Sequence, residues 1–322
     1  MWLSCLSCIR KRQSKRKRMG QIKFETQLSF IETNFSRLVY YDVSGDKEIM
    51  LNCETKTQRC RFCGNENRDF FKEKAHVIPH SIGNKVLKSS YECDKCNTRF
   101  CKMESQFSNF MALYHVFSHV SRGEKEPIYR NNSKSTIKAN ADGIDIYLVH
   151  KDENLKVELD REGKMITVEG VRSYIPLDVY KVFVKMALCI MPEKEMKYFN
   201  NTLKWLMSES MLIPNLYLSI RMYKYVEPFN GACMVYKRKS SCKENVPCYL
   251  FCLTYNNFFF QIAIPLCTQD AGIKGTVKMP YIPCIMDKEG TGYNEYWLNL
   301  SSLEKVTKEK VLLKFDVGDW II

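Results

Sequence analysis

The sequence predicts an α+β protein, with a thiolate-stapled N-terminal module followed by a mixed α+β domain. Three observations predict it. Cys60-x-x-Cys63 and Cys93-x-x-Cys96 are two matched cysteine pairs 29 residues apart. Apolar residues recur at three- and four-residue spacing over Met103–Val120 and Leu177–Met191, the period of a helix. Short alternating runs around turn residues mark strands, as in Leu155–Leu159 and Met165–Val168 around Asp160-Arg161-Glu162-Gly163.

The chain has 322 residues, 45% hydrophobic and 12% aromatic, enough for a core and against global disorder. No apolar run reaches the ~18 residues of a membrane span. The nearest, Tyr249 to Leu266, is interrupted by Asn256, Asn257 and Gln261. The net charge is +13, and residues 1–24 hold Arg10, Lys11, Arg12, Lys15, Arg16, Lys17, Arg18 and Lys23 with no acid. Such a run reads as a disordered tail able to touch nucleic acid or anionic lipid. Alternatively Met19-Gly20-Gln21 is the start of the protein, and both readings stay open. Bulk charge alone therefore does not argue for a nucleic-acid partner.

Fifteen cysteines at this length need a cause. The apolar stretch Met1–Ile9 precedes its basic residues, the reverse of a secretory signal. Cys5 and Cys8 beside the basic run are a weak palmitoylation signal. A reducing cytoplasm, with some thiolates on metal, fits better.

Along the chain, Ser36–Tyr41 alternates and Ser44-Gly45-Asp46 signals a turn. Cys60 to Val120 is the chemically dense block, holding His76, His80, His115 and His119 of the five histidines. Ser121–Pro127 reads as a loop, so the expected division is a tail (1–24), a first domain (25–125) and a second (126–322). The second is expected to hold a strand at Ile144–Val149, helices at Leu177–Met191 and Glu195–Glu209, and strands at Ala232–Tyr236, Cys248–Tyr255, Phe258–Ile264 and Val311–Phe315. A turn at Asn256-Asn257 joins two of these, and Gly318-Asp319-Trp320 closes the chain. The cysteines of this half are irregularly spaced and read as reduced thiols; Cys248 and Cys252 would share one strand face.

Two residues between cysteines let both thiolates reach one ion from a tight knuckle, and two such pairs complete a tetrahedral four-sulfur zinc site. Gly64 suits the turn of the first knuckle. A closed site has no open position, so this Zn²⁺ would hold the fold and perform no catalysis. Between the pairs runs Glu73-Lys74-Ala75-His76-Val77-Ile78-Pro79-His80-Ser81-Ile82-Gly83-Asn84.

At this point the sequence resembles the HNH (ββα-metal) endonucleases, in the variant with two zinc-binding Cys-x-x-Cys knuckles. Their pattern is a His-hydrophobic-hydrophobic-Pro strand end, a loop Asn, and a helix carrying Asn or His. His76 with Pro79, Asn84 and Asn97 match it, and the resemblance spans about Cys60 to Glu104. It implies a metal-dependent endonuclease that cuts DNA and leaves 5′-phosphate and 3′-hydroxyl ends. His76 would be the general base, since a near-neutral imidazole suits proton abstraction. Asn84 would fix the loop and the imidazole, and Asn97 would ligate a catalytic Mg²⁺ or Mn²⁺. Many members carry Asp before the histidine; here that position is Ala75. Glu104, seven residues beyond Asn97 on one helical face, is the first candidate replacement, with Glu73 and Glu92 behind it.

The other polar residues have plainer readings. His80 either contacts phosphate or is merely exposed. His115 and His119 at i, i+4 lack the acid of a zincin and read as a solvated or core-edge helix face. Lys95, Arg99 and Lys102 would line a phosphate track or a solvated face. The second domain would serve recognition, homodimerisation or activation by a ligand or partner, with restriction or defence against foreign DNA as the setting. The alternative is a non-catalytic zinc-knuckle protein that binds nucleic acid or another protein.

Overall fold

The computed structural model describes residues 24–51, 58–120, 125–130, 135–160, 162, 164–224, 231–288 and 292–316. The basic stretch, Met19, Cys5, Cys8, Cys53 and Gly318–Trp320 lie outside the described residues. No described helix is long and apolar enough to cross a membrane.

The chain forms two compact units that interleave in sequence. One takes the described residues up to 45, with 187–207 and 216–299; the other takes 46–186, 208–215 and the residues from 300. The sequence reading divides the chain into 1–24, 25–125 and 126–322; in the structure residues 126–186 cluster with the cysteine block.

The first unit is built on an antiparallel sheet in the order β1-β11-β12-β13-β10-β14. Its strands are β1 (Phe35–Asp42), β10 (Tyr217–Tyr223), β11 (Ala232–Arg238), β12 (Tyr249–Tyr255), β13 (Phe258–Ala263) and β14 (Tyr293–Asn299). The β12–β13 hairpin turns where expected, with Asn256 at φ 49°, a left-handed position that asparagine tolerates. Residues 24–34 form helix α1, and its Ile31 packs with Phe35, Leu250, Cys252 and Phe259. The helix expected over Glu195–Glu209 is two short ones, α4 (Glu193–Met196) and α5 (Asn200–Leu206). The carbonyl of Tyr198, at the break, accepts the backbone N–H of Thr268 (3.0 Å). A last short helix, α6, is Ile285–Lys288.

The second unit holds three small sheets around helix α2 (Asp94–Phe117). In the first, β4 (Leu87–Ser89) lies between β2 (Ile49–Leu51), parallel, and β3 (Ala75–His76), antiparallel. The second is a meander of β5 (Ile128–Arg130), β6 (Thr136–Asn140) and β7 (Gly143–Tyr147). In the third, β9 (Met165–Tyr174) pairs with β8 (Leu155–Asp160) and β15 (Val306–Asp316).

Helix α2 begins nine residues before the apolar run that predicts it. Its buried stripe runs through Cys96, Phe100, Met103, Phe107 and Phe110, so the first two turns face the cysteine cluster with polar residues outward. Its C-terminal half packs with Leu113 and Val116 against Val168, Val311 and Leu313. Arg172 of β9 stacks on the Phe110 ring (4.2 Å) and donates to the Phe110 carbonyl (3.2 Å). Helix α3 (Pro176–Ile190) starts on a proline, which suits a first helical position. It is buried nearly all round, and Phe183 packs edge-on against Phe107 (5.1 Å).

Candidate functional site

The cysteine cluster is assembled by backbone turns. Gly64 donates to the Cys60 carbonyl (2.8 Å) at φ +75°, a conformation that costs glycine nothing. Arg61 N–H donates to the Tyr91 carbonyl (2.9 Å), which brings the two knuckles together. Cys93 is the N-cap of α2, and its N–H donates to the Cys60 sulfur (3.4 Å). The four sulfurs of Cys60, Cys63, Cys93 and Cys96 lie within 4.8 Å of one another, with Cys63 and Cys93 3.6 Å apart. Tetrahedral zinc with bonds of about 2.3 Å needs sulfurs about 3.8 Å apart, so the donor set fits Zn²⁺. A hydrogen bond from the Cys96 thiol, aided by backbone N–H groups, holds Cys60 at about 4, against the opposing effect of burial. Within the first knuckle, the buried Phe62 packs edge-on against Phe100 of α2 (4.7 Å).

Strands β3 and β4 form the hairpin in front of α2, with Ala75 opposite Ser89 and His76 opposite Lys88. Asn84 is buried and pins the connecting loop with four hydrogen bonds. It donates to the carbonyls of Ile78 (2.8 Å) and Leu87 (3.0 Å) and accepts from the N–H groups of Val86 (3.2 Å) and Leu87 (3.0 Å). His76 is half-buried, 5.3 Å from the ring of His80, and its buried Nδ1 has no hydrogen-bond partner among the described residues. Burial, followed by the charges of His80, Lys88 and Lys185 and opposed by Glu48, lowers the His76 imidazole to about 4. Its folded value lies below the ordinary 6.5. Its contribution to stability is thus complete above 6.5 and is lost as the pH falls through about 4. The lowered value favours the neutral ring and makes it a weaker base than the near-neutral imidazole expected from the sequence.

The segment runs in the order cysteine knuckle, hairpin with histidine, knuckle, helix with asparagine. Residues 60–111 match the HNH endonuclease family model. The match opens on Cys60 and ends within α2, and it places a nuclease-type segment on a zinc-knuckle scaffold. No curated protein and no solved structure matches the chain.

Within the HNH segment, the candidate acids sort themselves by their partners. Ala75 is 1% exposed, so that position could supply no ligand to an open cleft. Glu73 is exposed and its Oε2 accepts from the Asn97 side-chain amide (3.0 Å). Asp94, in the first turn of α2, holds this loop by accepting the N–H groups of Lys72 (3.2 Å) and Glu73 (3.1 Å). Glu104 and Glu92 instead turn to the Lys185 ammonium of α3, at 3.2 and 3.5 Å. Burial raises Glu92 to about 7.

The structure thus brings the four cysteines together, joins Asn97 to Glu73, and ties the His76 peptide to α3. His80 is exposed. His115 is buried within α2, whereas His119 lies beyond its end at φ 49°, so the two do not share a helix face. Arg99 pairs with Glu209 (3.6 Å), while Lys95 and Lys102 are exposed. Cys248 stands just before β12 in thiol contact with Cys267, and Cys252 is in the sheet core. Sequence reasoning missed Lys185. Its signal was available: Lys181 and Lys185 fall on the same side of a helix otherwise apolar nearly all round.

Proposed function

We propose that the HNH segment is a metal-dependent endonuclease that hydrolyses DNA phosphodiester bonds, with His76 as general base. The observation that carries this reading is a half-buried imidazole on β3, paired across the hairpin with Lys88, inside a segment that matches this family. His76 would take the proton of the water that attacks phosphorus. Asn84 would hold the loop, so that the strand bearing His76 keeps one course. Asn97 commits its amide nitrogen to Glu73, which leaves its Oδ1 and a Glu73 oxygen as hard donors for one Mg²⁺ or Mn²⁺. Bound there, the ion would offset charge on the phosphate and on the leaving oxygen. Glu73 would take the place of the acid absent at Ala75; Glu104 and Glu92 are already committed to Lys185. A reducing compartment, the cytoplasm, suits the four thiolates, and restriction or defence against foreign DNA suits the activity.

Nicking of supercoiled plasmid in Mg²⁺ or Mn²⁺ tests this reading. Wild type should nick, and His76→Ala should lose on the order of 10²- to 10⁴-fold in rate with its zinc retained. Full activity in His76→Ala would assign the base elsewhere. Tight DNA binding with no cleavage by wild type would favour the non-catalytic reading.

A further inference from the structure

We infer that Lys185, far outside the matched segment in sequence, is a positioning residue that fixes the backbone of His76 against α2. The inference rests on the reading of His76 as the general base.

The Lys185 side chain is 1% exposed. Its Nζ donates to the His76 carbonyl (2.5 Å) and to Glu104 Oε1 (3.2 Å), and it lies 3.5 Å from Glu92 Oε2. These three acceptors belong to three parts of the HNH segment. His76 ends β3, Glu104 is on α2, and Glu92 immediately precedes the second cysteine pair. One ammonium therefore cross-links strand, helix and knuckle. A well-packed apolar side chain in this helix would avoid the desolvation of three charges, so stability alone does not account for the lysine.

The His76 ring has no protein hydrogen bond on Nδ1 to orient it. Its direction depends on its packing against His80 and on the course of its backbone. Besides the hairpin bond from Val77 N–H to the Leu87 carbonyl (3.1 Å), that backbone is held by Lys185 at the carbonyl of residue 76 and by Asn84 at the carbonyl of residue 78. A compact ammonium with three donors suits this three-way junction better than the planar fork of an arginine. Releasing the Lys185 hold should let the imidazole move off line, and a shift of about an ångström is costly to catalysis.

The test compares full-length, zinc-loaded wild type with Lys185→Met, Glu104→Gln and His76→Ala. It reads zinc content, nicking kcat and KM, and the His76 ring titration by NMR, assigned through His76→Ala. Lys185→Met should keep its zinc, lose on the order of 10- to 100-fold in kcat, and leave KM within about twofold. The groups that set the His76 charge balance are His80, Lys88, Lys185 and Glu48. Removing the Lys185 cation should therefore move the His76 titration upward. Glu104→Gln should lower kcat less, by several-fold. Wild-type kcat together with an unmoved His76 titration in zinc-loaded Lys185→Met would overturn the inference. If Lys185→Met does not fold, Glu104→Gln decides, and unchanged kcat there would overturn it. If wild type does not nick, the nuclease reading fails by itself, while the titration in Lys185→Met still reports whether the clamp acts on His76.

Discussion

Each unit buries a cation, and the two are used differently. In the six-stranded sheet, Arg221 of β10 is fully buried, paired with Asp287 (2.9 Å) and bonded to the Ile282 carbonyl (2.5 Å). Its guanidinium lies between the rings of Phe259 (3.8 Å) and Tyr281 (4.1 Å). Asp287 also accepts from Tyr223 Oη (2.6 Å) and from the Cys284 N–H (2.8 Å). The named partners of this cation are in the sheet or in the segment 281–287, which ends in α6. In the cysteine-bearing unit, Lys185 is as deeply buried, yet among its acceptors is the backbone of a half-buried histidine. Both ions carry a similar desolvation penalty. The planar guanidinium staples a loop by pairing and stacking, whereas the point charge gathers three separate elements. A buried charge thus becomes informative about function only through where its hydrogen bonds end.

The largest expected effect strikes everything around Lys185. Cys93→Ser should abolish zinc binding and unfold the HNH segment, since a structural zinc site carries about 10–16 kcal/mol of binding that is also folding energy. Metal analysis and loss of dispersion in the His76 and His80 resonances would register it; full zinc and an unchanged melting profile would refute it. Next comes Arg221→Met, which leaves Asp287 buried without its cation and should cost about 3–5 kcal/mol in denaturant unfolding. Nicking per folded molecule should stay at the wild-type rate. A fall in kcat there would break the contrast between the two cations. Smallest is Asn84→Ala, expected to cost about 1–3 kcal/mol for the backbone groups it leaves unsatisfied. Chemical denaturation measures it, and a neutral result would mean that the loop holds itself.

The parts of this architecture legible in sequence are those set by short-range geometry. Two residues between cysteines dictate a knuckle wherever it occurs. Asn256-Asn257 between apolar runs dictates the β12–β13 hairpin. The apolar spacing of α3 predicts it to within a residue at each end. What escaped is set by distant partners. The break between α4 and α5 depends on Thr268, seventy residues beyond Tyr198, and the strand order of the large sheet joins β1 to β11 across most of the chain. The early start of α2 was hidden because its first turns bury Cys96 in the cysteine cluster and otherwise carry mostly polar residues. Among Glu73, Glu92 and Glu104 helix spacing puts Glu104 first, whereas in the structure Glu104 pairs with Lys185 and Glu73 meets Asn97. The choice comes from a lysine eighty-one residues beyond Glu104.

That lysine bears on any attempt to use the segment as a portable cassette. A fragment trimmed to residues 60–111 would keep both knuckles, His76 and Asn97, and would appear complete by motif. It would also carry Glu92 and Glu104 without the ammonium that neutralises them, beside a His76 carbonyl with nothing to hold it. The smallest transplantable unit therefore has to run on through α3.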